Sequence, residues 1–264
     1  MTRRRLLLVV GVLLSGLLPP EECRAEPVSP GAAEILRRVL DSDPWGLNGA
    51  EIKATVTLTD KRGSVRQLSF VAASREHDPP LSKSLVRFSA PPDLAGAGFL
   101  QIQRRDGDDE RFLFLPALKR ARRISGNLRA NAFMGTDFSF ADLDRRDLRD
   151  GEAKKLPGEK IGSSQCYVLD VIPRREDAAY SHLELWIRKD NFLILRQKMY
   201  DHSNAHVKTF EAREIRRVSG DWFISKSLMT DHKNQHSTLL ELQSIVVNAA
   251  IPDDEFTVRA LERP

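Results

Sequence analysis

The chain has 264 residues, 41% hydrophobic and 30% charged, enough for one large all-β or α+β domain with an ordinary core, or for two small ones. Its formal charge of +4 halves once an N-terminal leader is set aside, so overall basicity gives no argument for a nucleic-acid partner. The leader is read from Thr2-Arg3-Arg4-Arg5, an apolar run from Leu6 to Leu18, and Cys23-Arg24-Ala25 ending in a small residue. Together these predict a secretory signal over residues 1–25, cleaved near Ala25. The apolar run is short for a membrane span. Cys23 follows Pro20-Glu21-Glu22 rather than the small residues a lipid-modified cysteine needs, so the expected product is a soluble exported chain, residues 26–264, forming a single domain. It keeps one cysteine, Cys166, in a strand-like run, read as a buried structural thiol rather than a nucleophile.

After the leader, Ile35, Leu36, Val39 and Leu40 recur at helical spacing and predict a short helix over Ala32 to Leu40, ended by Asp43-Pro44-Trp45-Gly46. From Ala50 the period becomes two. Ile52, Ala54, Val56 and Leu58 alternate with Lys53, Thr55, Thr57 and Thr59, the pattern of a strand with one apolar face. Asp60-Lys61-Arg62-Gly63 turns it, and Leu68, Phe70 and Ala72 carry the return. Short strands are predicted over Leu85 to Phe88, Phe99 to Gln103 and Phe112 to Leu115. Asp106-Gly107-Asp108-Asp109 reads as a solvated turn, since no further carboxylate stands where a calcium loop needs one.

The stretch from Phe112 to Leu143 departs from either period. Pro116 stops a strand; Lys119, Arg120, Arg122 and Arg123 follow within five positions; then come Ser125-Gly126-Asn127 and an aromatic group, Phe133, Met134, Phe138 and Phe140, among glycine and polar residues. An irregular insertion over about 116–147 suggests a lid or binding loop. The cations suit anionic lipid headgroups or a protein partner, each being worth about 1 kcal/mol near an anionic surface; the plainer reading is an exposed turn. The aromatics suit an apolar flap over acyl chains or, equally, plain core.

Beyond it, Asp142 to Lys155 reads as an exposed mixed-charge segment, Asp142, Asp144, Asp147 and Asp150 alternating with arginines. Strands are predicted over Gln165 to Ile172, His182 to Arg188, Phe192 to Tyr200, Val207 to Val218, Trp222 to Thr230 and Thr238 to Val247, with a final helical turn through Leu261. Adjacent strands without crossover helices predict an antiparallel meander closing into a barrel or strongly curved sheet. His202 with His206 and His232 with His236 have metal-ligand spacing only on a helix, and here each pair straddles a predicted turn. No phosphate loop or nucleophile elbow occurs. The reading therefore assigns no catalytic residue, no metal and no cofactor.

The segment Phe133-Met134-Gly135-Thr136-Asp137-Phe138-Ser139-Phe140-Ala141-Asp142-Leu143, the strand ending Leu115-Pro116, the basic run Lys119 to Arg123, the turn Thr230-Asp231-His232-Lys233 and the closing Ile251-Pro252-Asp253-Asp254-Glu255-Phe256-Thr257 resemble the outer-membrane lipoprotein-sorting proteins, a LolA-like family of periplasmic carriers. That resemblance implies a mainly β (α+β) fold: an incomplete, strongly curved antiparallel β-barrel with short helices and a lid insertion, LolA/LolB-like. It implies a non-enzymatic carrier holding acyl chains of lipoproteins or free lipid, with an inner-membrane transporter and an outer-membrane acceptor as partners. On that reading Ile52, Val56, Leu58 and Phe70 line the cavity, Phe133, Met134, Phe138 and Phe140 form the lid, and Lys119, Arg120, Arg122 and Arg123 meet headgroups or a partner. The alternatives are a periplasmic sensor of lipids or lipoproteins, an accessory lipid-binding partner of an inner-membrane transporter, and a hydrolase using Cys166 or the histidines.

Overall fold

The computed structural model describes residues 29–41, 49–79, 81–106, 108–125, 128–143 and 146–263. The expected leader, the helix-ending Asp43 to Gly46, and Gly107, Gly126, Asn127, Asp144 and Arg145 lie outside them. Helix α1 spans Ala32–Asp41. The strands are β1 (Ala50–Thr59), β2 (Val65–Asp78), β3 (Leu81–Ala90), β4 (Gly98–Ile102), β5 (Glu110–Leu115), β6 (Arg120–Arg123), β7 (Glu152–Ile161), β8 (Ser164–Ile172), β9 (His182–Arg188), β10 (Ile194–Tyr200), β11 (His206–Val218), β12 (Asp221–Asp231) and β13 (His236–Val246). Two one-turn helices, α2 (Arg146–Arg149) and α3 (Val258–Leu261), complete the list.

All 13 strands form one antiparallel sheet in the order β6-β5-β4-β3-β2-β1-β13-β12-β11-β10-β9-β8-β7. Every neighbour is a sequence neighbour except β1 with β13, which join the first strand to the last. The middle of the chain therefore supplies both free edges, β6 and β7, and the curved sheet stays open between them.

The period-two pattern decides which side chains face inward. In β1, Ile52, Ala54, Val56 and Leu58 are buried against Leu68, Phe70 and Ala72 of β2, with Ile52 opposite Ala72 and Val56 opposite Leu68. On the same concave side, Leu183, Leu185 and Ile187 of β9 pack with Met199 and Met229 under Ile35, Leu36 and Val39 of α1. The convex side has its own covers. Phe256 and Leu261 of the C-terminal segment seal Leu85, Leu100 and Phe114. Arg87 donates to the backbone carbonyls of Ala260, Leu261 and Arg263, which satisfies carbonyls that a helix end leaves open.

Three expectations are corrected. The insertion is not irregular throughout: its basic run is strand β6, paired with β5 so that Phe114 faces Ala121. The segment after it is not simply exposed, because Asp147 and Leu148 are buried and residues 152–161 form β7. Asp109 is no solvated turn residue either; it is 3% exposed, accepts from the Arg104 backbone N–H at 3.0 Å and pairs with the equally buried Arg111 at 3.3 Å.

Candidate functional site

Because β6 and β7 lie at opposite edges, the chain joining them has to traverse the open side of the sheet, and its described residues, 124–125, 128–143 and 146–151, form a cover there. Its central part is a tight turn. Thr136 N–H donates to Phe133 O at 2.9 Å, and the two middle residues, Met134 and Gly135, take left-handed φ of 53° and 78°. Glycine adopts that conformation freely, and a second left-handed residue makes the turn the kind that closes a narrow hairpin. Phe133 N–H returns to Phe138 O at 2.7 Å.

The turn is latched to the middle of the sheet. Thr238 of β13, fully buried, donates its hydroxyl to Asp137 Oδ2 at 2.6 Å and accepts the Asp137 N–H at 2.9 Å, while His236 Nδ1 sits 2.8 Å from the same carboxylate. Farther along, Asp142 accepts from Tyr180 at 2.8 Å and from the Ser139 hydroxyl at 2.8 Å, with Lys208 Nζ at 3.3 Å. Burial beside that carboxylate pushes the Tyr180 phenol far above its ordinary range. Asp147 receives Arg129 Nη2 at 2.8 Å.

Between sheet and cover lies a cavity of about 280 Å³, near the lower end for small-molecule sites. Its walls include Ile52, Val56 and Phe70 from β1 and β2, Met199, Phe210 and Met229 from the opposite half, Val39 of α1, and Phe133 and Phe138 of the cover. A polar margin comes from Ser82, Ser84, Gln101 and Gln103 on one side and Asp142, Asp147 and Tyr180 on the other.

The predicted residues divide on this geometry. Ile52, Val56, Phe70, Phe133 and Phe138 face the cavity, whereas Leu58 is buried in the core away from it. Phe140 is 4% exposed and packs edge-on to Phe133 at 5.6 Å, with Phe99 completing the trio. Met134 and Phe140 instead border a second hollow of about 590 Å³ alongside Arg122 and Arg123. All four cations are exposed, Lys119 just before β6 and the arginines on it.

The histidine pairs do not converge. His202 meets the Ala178 carbonyl at 3.0 Å and His236 meets Asp137, while His206 faces His232 with ring centres 4.5 Å apart. Burial and that second ring lower the His206 pKa. Among the described residues no group of three or more His, Cys, Asp or Glu is arranged to hold a metal. Cys166 is fully buried, and burial raises its thiol pKa.

The chain resembles known proteins over nearly its whole length. A family model described as "Uncharacterized protein" matches residues 81–263. A domain described as an outer-membrane lipoprotein-sorting protein, from Vibrio parahaemolyticus, superposes with a TM-score of 0.81 at 25% identity, over 88% of this chain and 98% of that one. The chain belongs to the LolA-like family. A DUF1329 family protein from Desulfovibrio piger gives 0.80 at 24% identity, over 86% and 96% of the two chains. A LolA superfamily protein from Nitrosomonas europaea gives 0.68 at 19%, over 87% and 98%. Among curated proteins none matches the sequence.

The LolA-like fold thus belongs to lipoprotein-sorting and carrier proteins. Within this LolA-like chain, sequence reasoning missed the cavity's polar margin on β3 and β4 and the carboxylates Asp142 and Asp147. The carboxylates sit in a segment that reads as exposed, the serines and glutamines carry no sequence signal for which way they face, and only neighbours across the sheet reveal both sets as inward.

Proposed function

We propose that this LolA-like protein is a periplasmic carrier that takes acyl chains of lipoproteins or lipids into its cavity and moves them toward the outer membrane. The observation that carries the reading is the cavity itself: an apolar hollow between a curved sheet and a cover, lined by Ile52, Val56 and Phe70. Each buried acyl methylene gains about 0.8 kcal/mol, and the methionines Met199 and Met229 adapt to chains of different shape. The cover admits the ligand by releasing its latch at Asp137, so uptake and release remain close to balance. The Vibrio protein's description as a sorting domain supports the same cargo class.

The basic strand β6 serves as the contact to anionic headgroups or to a partner, an inner-membrane transporter at loading and an outer-membrane acceptor at delivery. Lys119, Arg120, Arg122 and Arg123 have no ion-pair partner among the described residues, and Leu118 beside them is 41% exposed. No covalent step is invoked, and Cys166 is left a packing residue.

Native mass spectrometry of gently purified protein tests the proposal. Wild type is expected to carry acylated species, and Ile52→Trp, which fills the cavity, to carry none while keeping its fold by circular dichroism. A wild type that comes off empty and takes up no acyl probe afterwards sinks the carrier reading.

A further inference from the structure

The concave face of β3 and β4 changes character along its length. Inward positions run Ser82, Ser84, Val86 and Phe88 in β3, and Phe99, Gln101 and then Gln103 along and just past β4. Val86 stands opposite Phe99 and Ser84 opposite Gln101, while Ser74 of β2, also buried, stands opposite Ser84. An apolar row across three strands therefore gives way to a polar row one side-chain step along.

Two of these polar groups already serve each other: Gln103 Oε1 accepts the Ser82 N–H at 2.9 Å and the Ser82 hydroxyl at 3.3 Å. The next two do not. Gln101 is 6% exposed and Ser84 is half-buried, both line the cavity, and neither side chain hydrogen-bonds within the described residues. A carboxamide and a hydroxyl that face a hollow with no protein partner are available to hydrogen-bond whatever the hollow holds.

Charge narrows the choice. Among the described residues the cavity lining contains no lysine or arginine, and its carboxylates, Asp142 and Asp147, are committed to Lys208 and Arg129. The cation nearest this end, Arg111, stands opposite Gln101 on β5 but is paired with the equally buried Asp109 at 3.3 Å. A free fatty acid with its head here would therefore bury a carboxylate with no uncommitted cation to meet it, which is unfavourable. A neutral carbonyl needs only donors, and the Gln101 amide and Ser84 hydroxyl are donors.

We propose that Ser84 and Gln101 form a subsite that hydrogen-bonds a neutral carbonyl of the ligand, an ester or an amide, and so selects acyl esters and amides over free fatty acids. This rests on the acyl-carrier reading of the cavity and adds the group recognised at its polar end.

Displacement of the neutral fluorescent probe N-phenyl-1-naphthylamine from the delipidated protein tests it, with monopalmitoylglycerol and palmitate as competitors at pH 8. Monopalmitoylglycerol is expected to bind about tenfold more tightly than palmitate, the scale of a hydrogen bond against an unpaired charge. Gln101→Leu should erase most of that preference while leaving the affinity for the probe within about twofold, because the probe has no carbonyl; Ser84→Ala should act in the same direction. Palmitate binding as well as the ester, or a preference that survives Gln101→Leu, overturns the subsite. A probe affinity that falls in proportion with that of the ester also overturns it, since the residue would then be structural. If wild type binds neither the probe nor any competitor, the acyl-carrier reading itself fails, an outcome separate from the other three.

Discussion

Phe138 and Phe140, two residues apart in one motif, have different jobs. Phe140 closes an aromatic trio with Phe99 and Phe133 and is nearly sealed from solvent; Phe138 is half-buried, reaches the opposite core and faces the cavity. Phe140→Ala should therefore lower stability by about 3–5 kcal/mol, the usual cost of emptying an aromatic core position, as read from a denaturant midpoint. Phe138→Ala should weaken binding of an acyl probe more than it lowers that midpoint. Equal effects from the two substitutions would place both rings in the core and remove the cover from the binding site. At this scale the sequence identified the segment, but it could not separate the rings: an irregular stretch has no period from which a facing direction can be read.

At the scale of elements, a strand was legible wherever one face was wet and the other apolar, as in β1, β9 and β12. Failures were of two kinds. β3 begins at Leu81 rather than Leu85, because Ser82 and Ser84 point inward at a cavity and so imitate a loop. β6 and β7 are edge strands rich in charge, β7 broken by Pro157 at a shift of register; charge and proline on an edge discourage pairing with a second sheet, and they also hide the strand. On the convex side α3 is seated by a glycine. A Cβ on Gly98 would lie 2.6 Å from Leu261 Cδ1 and 3.3 Å from the Val86 carbonyl. Gly98→Ala should lift the C-terminal segment and cost about 1–3 kcal/mol, as overpacked sites do, with faster amide exchange over residues 256–263 than elsewhere. Uniform exchange across the chain would show that the close approach does not matter.

Across the whole molecule, the order of strands explains why a cover exists. Pairing the first strand with the last puts the middle of the chain on both free edges, and the link between those edges has to cross the hollow face. The same topology places the cations of β6 along one rim. Arg122→Glu with Arg123→Glu should reduce binding to vesicles containing anionic phospholipid by at least about thirtyfold at low ionic strength, where each cation contributes about 1 kcal/mol, and the difference should shrink as salt screens it. Binding unchanged by the reversal, or insensitive to salt, would leave the basic strand as edge protection alone.

What the sequence determined by itself was the alternation of side chains along each strand, the short amphipathic helix ahead of them, and the aromatic and basic motifs of the segment between Leu115 and Leu143. Those are local properties, set by chemistry within a few residues. Which polar groups are inward was decided only in the tertiary structure. Ser84, Gln101, Asp142 and Asp147 owe their burial to strands and a cover distant in sequence, and a polar side chain beside an enclosed hollow looks, in one dimension, the same as one beside water.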